Sequence, residues 1–241
     1  TPFFRLMRGA IKRCMHANLP QPAIVKPLFR FTYELRAVIW RTLNGAVTFF
    51  YREPLFRARC EQAGKRLNLM CLPEVYGHTR IYLGDDVFLN GKIGIDSGRF
   101  FDEPRLVIKD RAAIGHHTFF SVNREVVIEE DVIIANECVI SDNDGHPRQA
   151  DLRAANAALD ARDIQPVRIC RSAWLGRGVC VMKGVTIGEG AIIGARSVVI
   201  SDIPPYAIAM GNPAEVILRG AGRPRRKTEP QIQRASVAPQ E

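Results

Sequence analysis

The sequence predicts a mainly β protein, a parallel β-helix built of six-residue repeats, with a helical or irregular N-terminal segment. Two observations carry this. From Ile169 an aliphatic residue recurs at Leu175, Val181, Ile187, Ile193 and Val199, and a small or β-branched residue follows each by four places, at Ala173, Val179, Val185, Ala191, Ser197 and Ile203. A period of six fits neither a helix nor plain strand alternation. It suits a coil with three flat faces, each one short strand and one turn, with the repeating aliphatic pointing inward. The same register recurs upstream in broken form, at Leu83, Leu89 and Ile95, at Ile108, Ile114 and Phe120, and at Ile128, Ile134 and Ile140.

The elements follow in order. Residues 1–80 read as a basic, aromatic N-terminal segment, 81–218 as the β-helix, and 219–241 as a flexible basic tail with little apolar content. A stacked array tolerates insertions only as loops thrown outward from a corner, so residues 145–166, rich in Ala, Asp and Arg, are an external loop. Gly176, Gly184, Gly188 and Gly194 are expected to supply backbone freedom to the turns.

Composition sets limits. At 241 residues and 46% hydrophobic content, the chain suffices for one β-helix and a flanking element. Cysteines at 14, 60, 71, 138, 170 and 180 form no CxxC pair, and the N-terminal TPFFRLMRGAIKRCMH lacks the apolar core of a secretory signal. A reduced cytoplasmic protein is expected.

Charge is segregated, +10 over residues 1–80, −5 over 81–218 and +4 over 219–241. Residues 26–59 interleave seven basic residues with Phe29, Phe31, Tyr33, Trp40, Phe49, Phe50 and Tyr51. Two readings stay open for this segment: helices that cap the first coil, or a peripheral contact with the anionic inner face of a membrane. Its longest uncharged run, Thr42–Tyr51, is far below the roughly 20 residues of a spanning helix. No RNP, zinc-finger or helix-turn-helix pattern accompanies the charge, so no nucleic-acid partner is expected.

The stretch SAWLGRGVCVMKGVTIGEGAIIGARSVVISDIPPYAIAMGNPAEVI opens on Trp-Leu-Gly and closes on Gly-Asn-Pro-Ala. It resembles the hexapeptide-repeat acyltransferases, and within them the maltose, nodulation-factor and polysaccharide O-acetyltransferases. The resemblance covers roughly residues 80–219. It implies a left-handed coil, a homotrimer with sites between protomers, and acetyl-CoA or another acyl-CoA as co-substrate, with no permanently bound cofactor and no metal.

By the same resemblance His146, in the Gly-His-Pro element of ISDNDGHP, is the general base. An acceptor hydroxyl is a poor nucleophile near neutrality, and an imidazole, which titrates near about 6.5 in water, can take its proton as attack begins. Asp144 and Asp142 are both candidates to orient that imidazole. Asn123 and Asp142 are candidates for acceptor contact. The donor set carried over by position is Trp174, Gly176, Arg177, Ala195 and Ser201, with Lys183, Arg196 and Arg219 as further phosphate cations. Trp174 also reads as a packing residue of the repeat.

The expected activity is acetylation of a sugar hydroxyl in surface polysaccharide or another glycoconjugate. N-acetylation of an amino sugar and a non-catalytic hexapeptide-repeat scaffold are the alternatives. A metal-dependent lyase needs three converging histidines. His116 and His117 are adjacent, and neighbours on a strand point to opposite faces.

Overall fold

Arg168 lies opposite Thr186, and Ile169 opposite Ile187, in a parallel ladder. One turn of the chain therefore takes eighteen residues, three of the six-residue repeats. The computed structural model describes residues 24–98 and 103–220. In it the chain forms two units, Thr1–Val47 and Thr48–Glu241. Residues 1–23 of the N-terminal segment and 221–241 of the tail lie outside the described residues.

The second unit is a left-handed parallel β-helix. Each coil gives one short strand to each of three sheets. Sheet one stacks Gln62–Ala63, Arg80–Leu83, Arg105–Ile108, Glu125–Ile128, Val167–Ile169 and Thr186–Ile187. Sheet two stacks Asn68–Leu69, Phe88–Leu89, Ala113–Ile114, Ile133–Ile134, Trp174–Leu175, Ile192–Ile193, Ile208–Gly211 and Ala214–Leu218. Sheet three stacks Glu74–Tyr76, Gly94–Asp96, Phe119–Ser121, Val139–Ser141, Cys180–Val181 and Val198–Val199. Among the described residues only the last strand of sheet two, Ala214–Leu218, is antiparallel to its neighbour.

The inward positions are those the six-residue period selects. Leu83, Leu89, Ile95, Ile108, Ile114, Phe120, Ile128, Ile134 and Ile140 join Ile169, Leu175, Val181, Ile187, Ile193 and Val199 in one continuous core. The second repeat series is buried as well, including Ser197, whose hydroxyl donates to Gly194 O and accepts from Gly211 N.

The glycines work differently from the expectation. Of Gly176, Gly184, Gly188 and Gly194, only Gly184 has a positive φ. The other three are required by close approach between coils: a Cβ on Gly188 would lie 2.4 Å from Pro205 N, on Gly176 2.7 Å from Ala195 N, and on Gly194 2.7 Å from Met210 Cβ. The left-handed position between sheets one and two is instead held by Arg66, Asp86, Arg111, Asp131, Ser172, Gly190 and Tyr206. From Asp86 onward each donates its N–H to a carbonyl of the preceding coil, which offsets the steric cost of φ near +57° in non-glycine residues. Arg66 pairs with Asp86, and Arg111 with Asp131, along that corner.

The stack begins earlier than residue 81. Gln62–Ala63, Asn68–Leu69 and Glu74–Tyr76 pair with the next coil and form a first coil inside the 1–80 segment. A π-helical turn, Thr48–Arg52, and a short helix, Glu53–Arg59, close its open end. Phe56 enters the core, and three guanidinium groups occupy first-coil carbonyls: Arg52 at Met70 O, Arg57 at Ala63 and Gly64 O, and Arg59 at Gly77 O. An end strand otherwise presents unpaired backbone groups. In the first unit Lys26–Val47 forms one helix with no buried residue.

Two glycine-corner variants separate these roles. Gly188→Ala should destabilise the β-helix by about 1–3 kcal/mol, because the added Cβ must displace backbone. Ser172→Gly, at φ +57° with no steric need for a Cβ, should leave stability within about 1 kcal/mol or raise it, since relief of the left-handed strain offsets the greater unfolded-state freedom of glycine. Thermal unfolding followed by circular dichroism reads both.

Candidate active site

The site is built where the coil opens. After Val139–Ser141 the chain leaves sheet three and returns to sheet one at Val167. The excursion carries a short helix, Ala150–Ala154, and a 3-10 turn, Ala161–Asp163.

Asp142 and Asn143 anchor its start. Asp142 is fully buried, and its carboxylate accepts the backbone N–H groups of Asn123 (2.8 Å), Arg124 (2.6 Å) and Glu125 (2.9 Å) and the Asn143 amide (2.9 Å). A desolvated carboxylate is tolerated where several N–H donors surround it. Asp142 is therefore withdrawn from any acceptor, contrary to the sequence expectation, and acts by fixing the turn at 123–125. Asn143, also buried, donates to Ser121 Oγ (3.1 Å) and accepts Gly145 N–H on Oδ1 (2.8 Å). Gly145, with φ +75°, then turns the chain so that His146 is exposed and Pro147 is buried.

His146 borders a cavity of about 610 Å³ lined by Asp96, Ser97, Gly98, Asn123, Gly145, Asn156, Ala157 and Leu159. The structure thus brings together two residues selected from sequence, His146 and Asn123. The Asn123 Oδ1 accepts Gly98 N–H at 2.6 Å, leaving its NH₂ to the cavity. A Cβ on Gly98 would lie 2.7 Å from that oxygen, so the approach depends on glycine.

Asp96, Ser97 and Asn156 were not selected from sequence. Asp96 pairs in register with Ser121, which pairs with Ser141, so three polar residues occupy one outward column at the end of sheet three. The alternation in IGIDSG places Asp96 outward, but unequal insertions between coils hide its alignment with His146.

Asp144 does not reach the imidazole. Its carboxylate takes the Lys183 ammonium at 2.6 Å and lies 3.5 Å from Arg148. Lys183, with its side chain only 12% exposed, also donates to Asp163 O at 2.8 Å and lies 3.7 Å from Asp163 Oδ1. Lys183 consequently ties both ends of the loop to the β-helix. It is not a free cation for phosphate. Among the described residues no hydrogen bond to the His146 ring is formed.

The predicted donor residues gather elsewhere. Gly176, Arg177, Ala195 and Arg196 share the corner between sheets two and three, with Arg196 N–H donating to Arg177 O at 2.8 Å. Lys183 and the His146 loop belong to the next corner, between sheets three and one. Arg177 is paired with Glu137, with Nε 3.0 Å from Oε2, which lowers the Glu137 pKa and raises that of Arg177. Arg196, Ser201 and Arg219 are exposed. Trp174 is not a core packing residue: it is 50% exposed on the outer face of sheet two, in register between Ile133 and Ile192.

His116 and His117 also differ from the strand argument. Both lie in a turn, not on a strand, and their rings stack with centroids 3.7 Å apart. Among the described residues no group of three or more metal-ligating side chains converges.

Comparison with known proteins agrees with the repeat. Residues 166–201 match the bacterial transferase hexapeptide (six repeats) family model. A Staphylococcus aureus protein named as an acetyltransferase is 54% identical over 52 residues, 22% of this chain and 26% of that protein. A Mycobacterium tuberculosis protein named as an acetyltransferase is 29% identical over 154 residues, 64% of this chain and 48% of that protein. The chain thus spans between a quarter and a half of the length of these relatives. A mutant of AntD, an N-acyltransferase from Bacillus cereus solved with dTDP-4-amino-4,6-dideoxyglucose and coenzyme A, superposes with a TM-score of 0.57 at 16% identity over 73% of this chain and 91% of that one. That likeness is one of fold.

Lys183→Met separates a clasp from a phosphate ligand. Stability should fall by about 1–3 kcal/mol as Asp144 and Asp163 lose their cation. In an acyl-transfer assay kcat should fall about tenfold, with the KM for acyl-CoA unchanged. A raised KM at unchanged kcat would return Lys183 to the donor site.

Proposed function

We propose that this hexapeptide-repeat protein is an acyl-CoA-dependent O-acyltransferase that acetylates a hydroxyl of a sugar or glycoconjugate, with His146 as general base. The observation that carries the reading is the shared cavity: an exposed imidazole, held on an Asn143-braced turn, faces a hydrogen-bonding wall of Asn123, Ser97 and Asp96. The relatives named as acetyltransferases support acyl transfer.

In this mechanism neutral His146 takes the proton of the acceptor hydroxyl as its oxygen attacks the thioester carbonyl carbon. The tetrahedral intermediate collapses with cleavage of the C–S bond. The departing thiolate then receives the proton from the imidazolium, and the ester and free CoA leave. An acyl-enzyme at Cys60, Cys138, Cys170 or Cys180 is disfavoured. Burial raises the thiol pKa of Cys138, Cys170 and Cys180, and that of Cys60 to about 11, and none of the four lines the His146 cavity.

The outer faces support a homotrimer. In sheet two Phe88, Ala113, Ile133, Trp174, Ile192 and Ile208 form one apolar ladder, and in sheet three Phe119, Val139, Cys180 and Val198 form another. Sheet one instead carries the ion pairs Arg80–Glu103, Arg105–Glu125 and Arg168–Glu129. Two adjoining apolar faces suit the heterologous contact of a closed ring. Such a ring would set the donor corner of one protomer against the His146 loop of the next.

An amino-sugar acceptor is the second reading. Asp96, an unpartnered carboxylate on the cavity among the described residues, suits an ammonium group before its deprotonation. The reaction is proposed for the cytoplasmic side, where acyl-CoA is made.

His146→Ala should reduce turnover of acetyl-CoA with a sugar acceptor by about 10²- to 10⁴-fold, with thermal stability unchanged. Loss of stability together with activity would make His146 structural. The product decides the acceptor class: mild hydroxylamine releases the acetyl group from an O-ester and leaves an amide intact. For the trimer, mixing His146→Ala with Arg196→Glu subunits should restore part of the activity absent from either alone, and a fully active monomer in light scattering would overturn the shared site.

A further inference from the structure

The helix Lys26–Val47 leaves all of its residues unburied. At about 100° per residue, Leu28, Phe31, Leu35, Ile39 and Leu43 fall on one arc. Lys26, Arg30 and Arg41 fall opposite with Tyr33 beside them, and Arg36 and Trp40 stand on the border between the two arcs. Trp40 is 67% exposed and Phe31 62%. Two threonines interrupt the apolar arc, but their hydroxyls donate back to the helix, Thr32 to Phe29 O at 2.9 Å and Thr42 to Val38 O at 3.0 Å. The arc therefore carries no unpaired hydroxyl into an apolar medium. The helix is too short of continuous apolar residues to cross a membrane.

We infer that Lys26–Val47 is an interfacial helix that lies in the plane of an anionic lipid surface. Its aliphatic arc enters the acyl boundary, Arg36 and Trp40 at the arc's edge sit at headgroup level, and the basic residues beyond them, within about 10–12 Å of the inserted face, are drawn by the negative surface potential. Charge argues against a second copy as the occupant. Lys26, Arg30, Arg36 and Arg41 stand against a single acid, Glu34, so the helix carries a net positive charge that an anionic surface complements and a second copy of the same charge does not. The inference goes beyond the proposed reaction and does not depend on it.

The test uses the full chain with Trp174→Phe, which leaves Trp40 as the sole indole of the two in the sequence. Vesicles of phosphatidylglycerol and phosphatidylcholine should shift its emission to the blue and co-sediment the protein. Phosphatidylcholine alone should do neither. High salt, or Arg30→Glu with Arg41→Glu, should weaken binding at least about tenfold. Leu35→Glu with Ile39→Glu should abolish it while the β-helix keeps its thermal unfolding midpoint, which excludes misfolding as the cause. Unshifted Trp40 emission on anionic vesicles, or equal binding to neutral ones, would overturn the inference. So would self-association in buffer that the Leu35→Glu and Ile39→Glu pair removes, which would assign the arc to a second copy.

Discussion

Hydrogen bonding from each coil to the next governs this molecule. Parallel strands must keep a spacing of about 4.8 Å, and nearly every short strand here is satisfied only by the coils on either side of it. That spacing excludes a Cβ at Gly176 and Gly188, whose substituents would fall within 2.7 Å and 2.4 Å of neighbouring backbone nitrogen. It also explains how Asp131 and Tyr206 can hold left-handed turns, since each gives its N–H to the coil before it. An array held this way has open ends. Phe56 and the guanidinium groups of Arg52, Arg57 and Arg59 close the first of them.

The same constraint shapes the candidate site. A chain that must return to sheet one in register accommodates an insertion at a corner, and the excursion from Asp142 to residue 166 is placed there. Its opening leaves the N–H groups of Asn123, Arg124 and Glu125 without a strand partner, and the Asp142 carboxylate takes all three. One buried acid therefore couples the turn that bears Asn123 to the start of the loop that bears His146. Lys183 completes the arrangement by joining Asp144 and Asp163, so the loop is held at both ends by a largely buried cation.

Charge and apolar surface are distributed by face. Sheet one is laced with ion pairs, whereas the outer ladders of sheets two and three expose Ile133, Trp174, Phe119 and Val139. Exposed pairs of this kind contribute little stability, so sheet one reads as a solvated face. The helix Lys26–Val47 is a different surface again, apolar on one arc and basic on the other.

The repeat was legible in the sequence because inward packing demands an aliphatic residue at every sixth position, and Ile169 through Val199 keep that period without interruption. His146 and Asn123 were selected through the resemblance their motifs carry, and the structure sets both on one cavity. The roles of Asp142, Asp144 and Lys183 were not legible, because charge alone does not tell a carboxylate that faces a substrate from one buried against three N–H groups, nor a phosphate ligand from a clasp. Asp96 escaped for a related reason: insertions of unequal length separate it from Ser121 and His146 in the chain, and only the stacking of coils puts residues that far apart on one wall. Fold is thus written in local periodicity, whereas the partner of each polar group is decided by which corners the coils bring together.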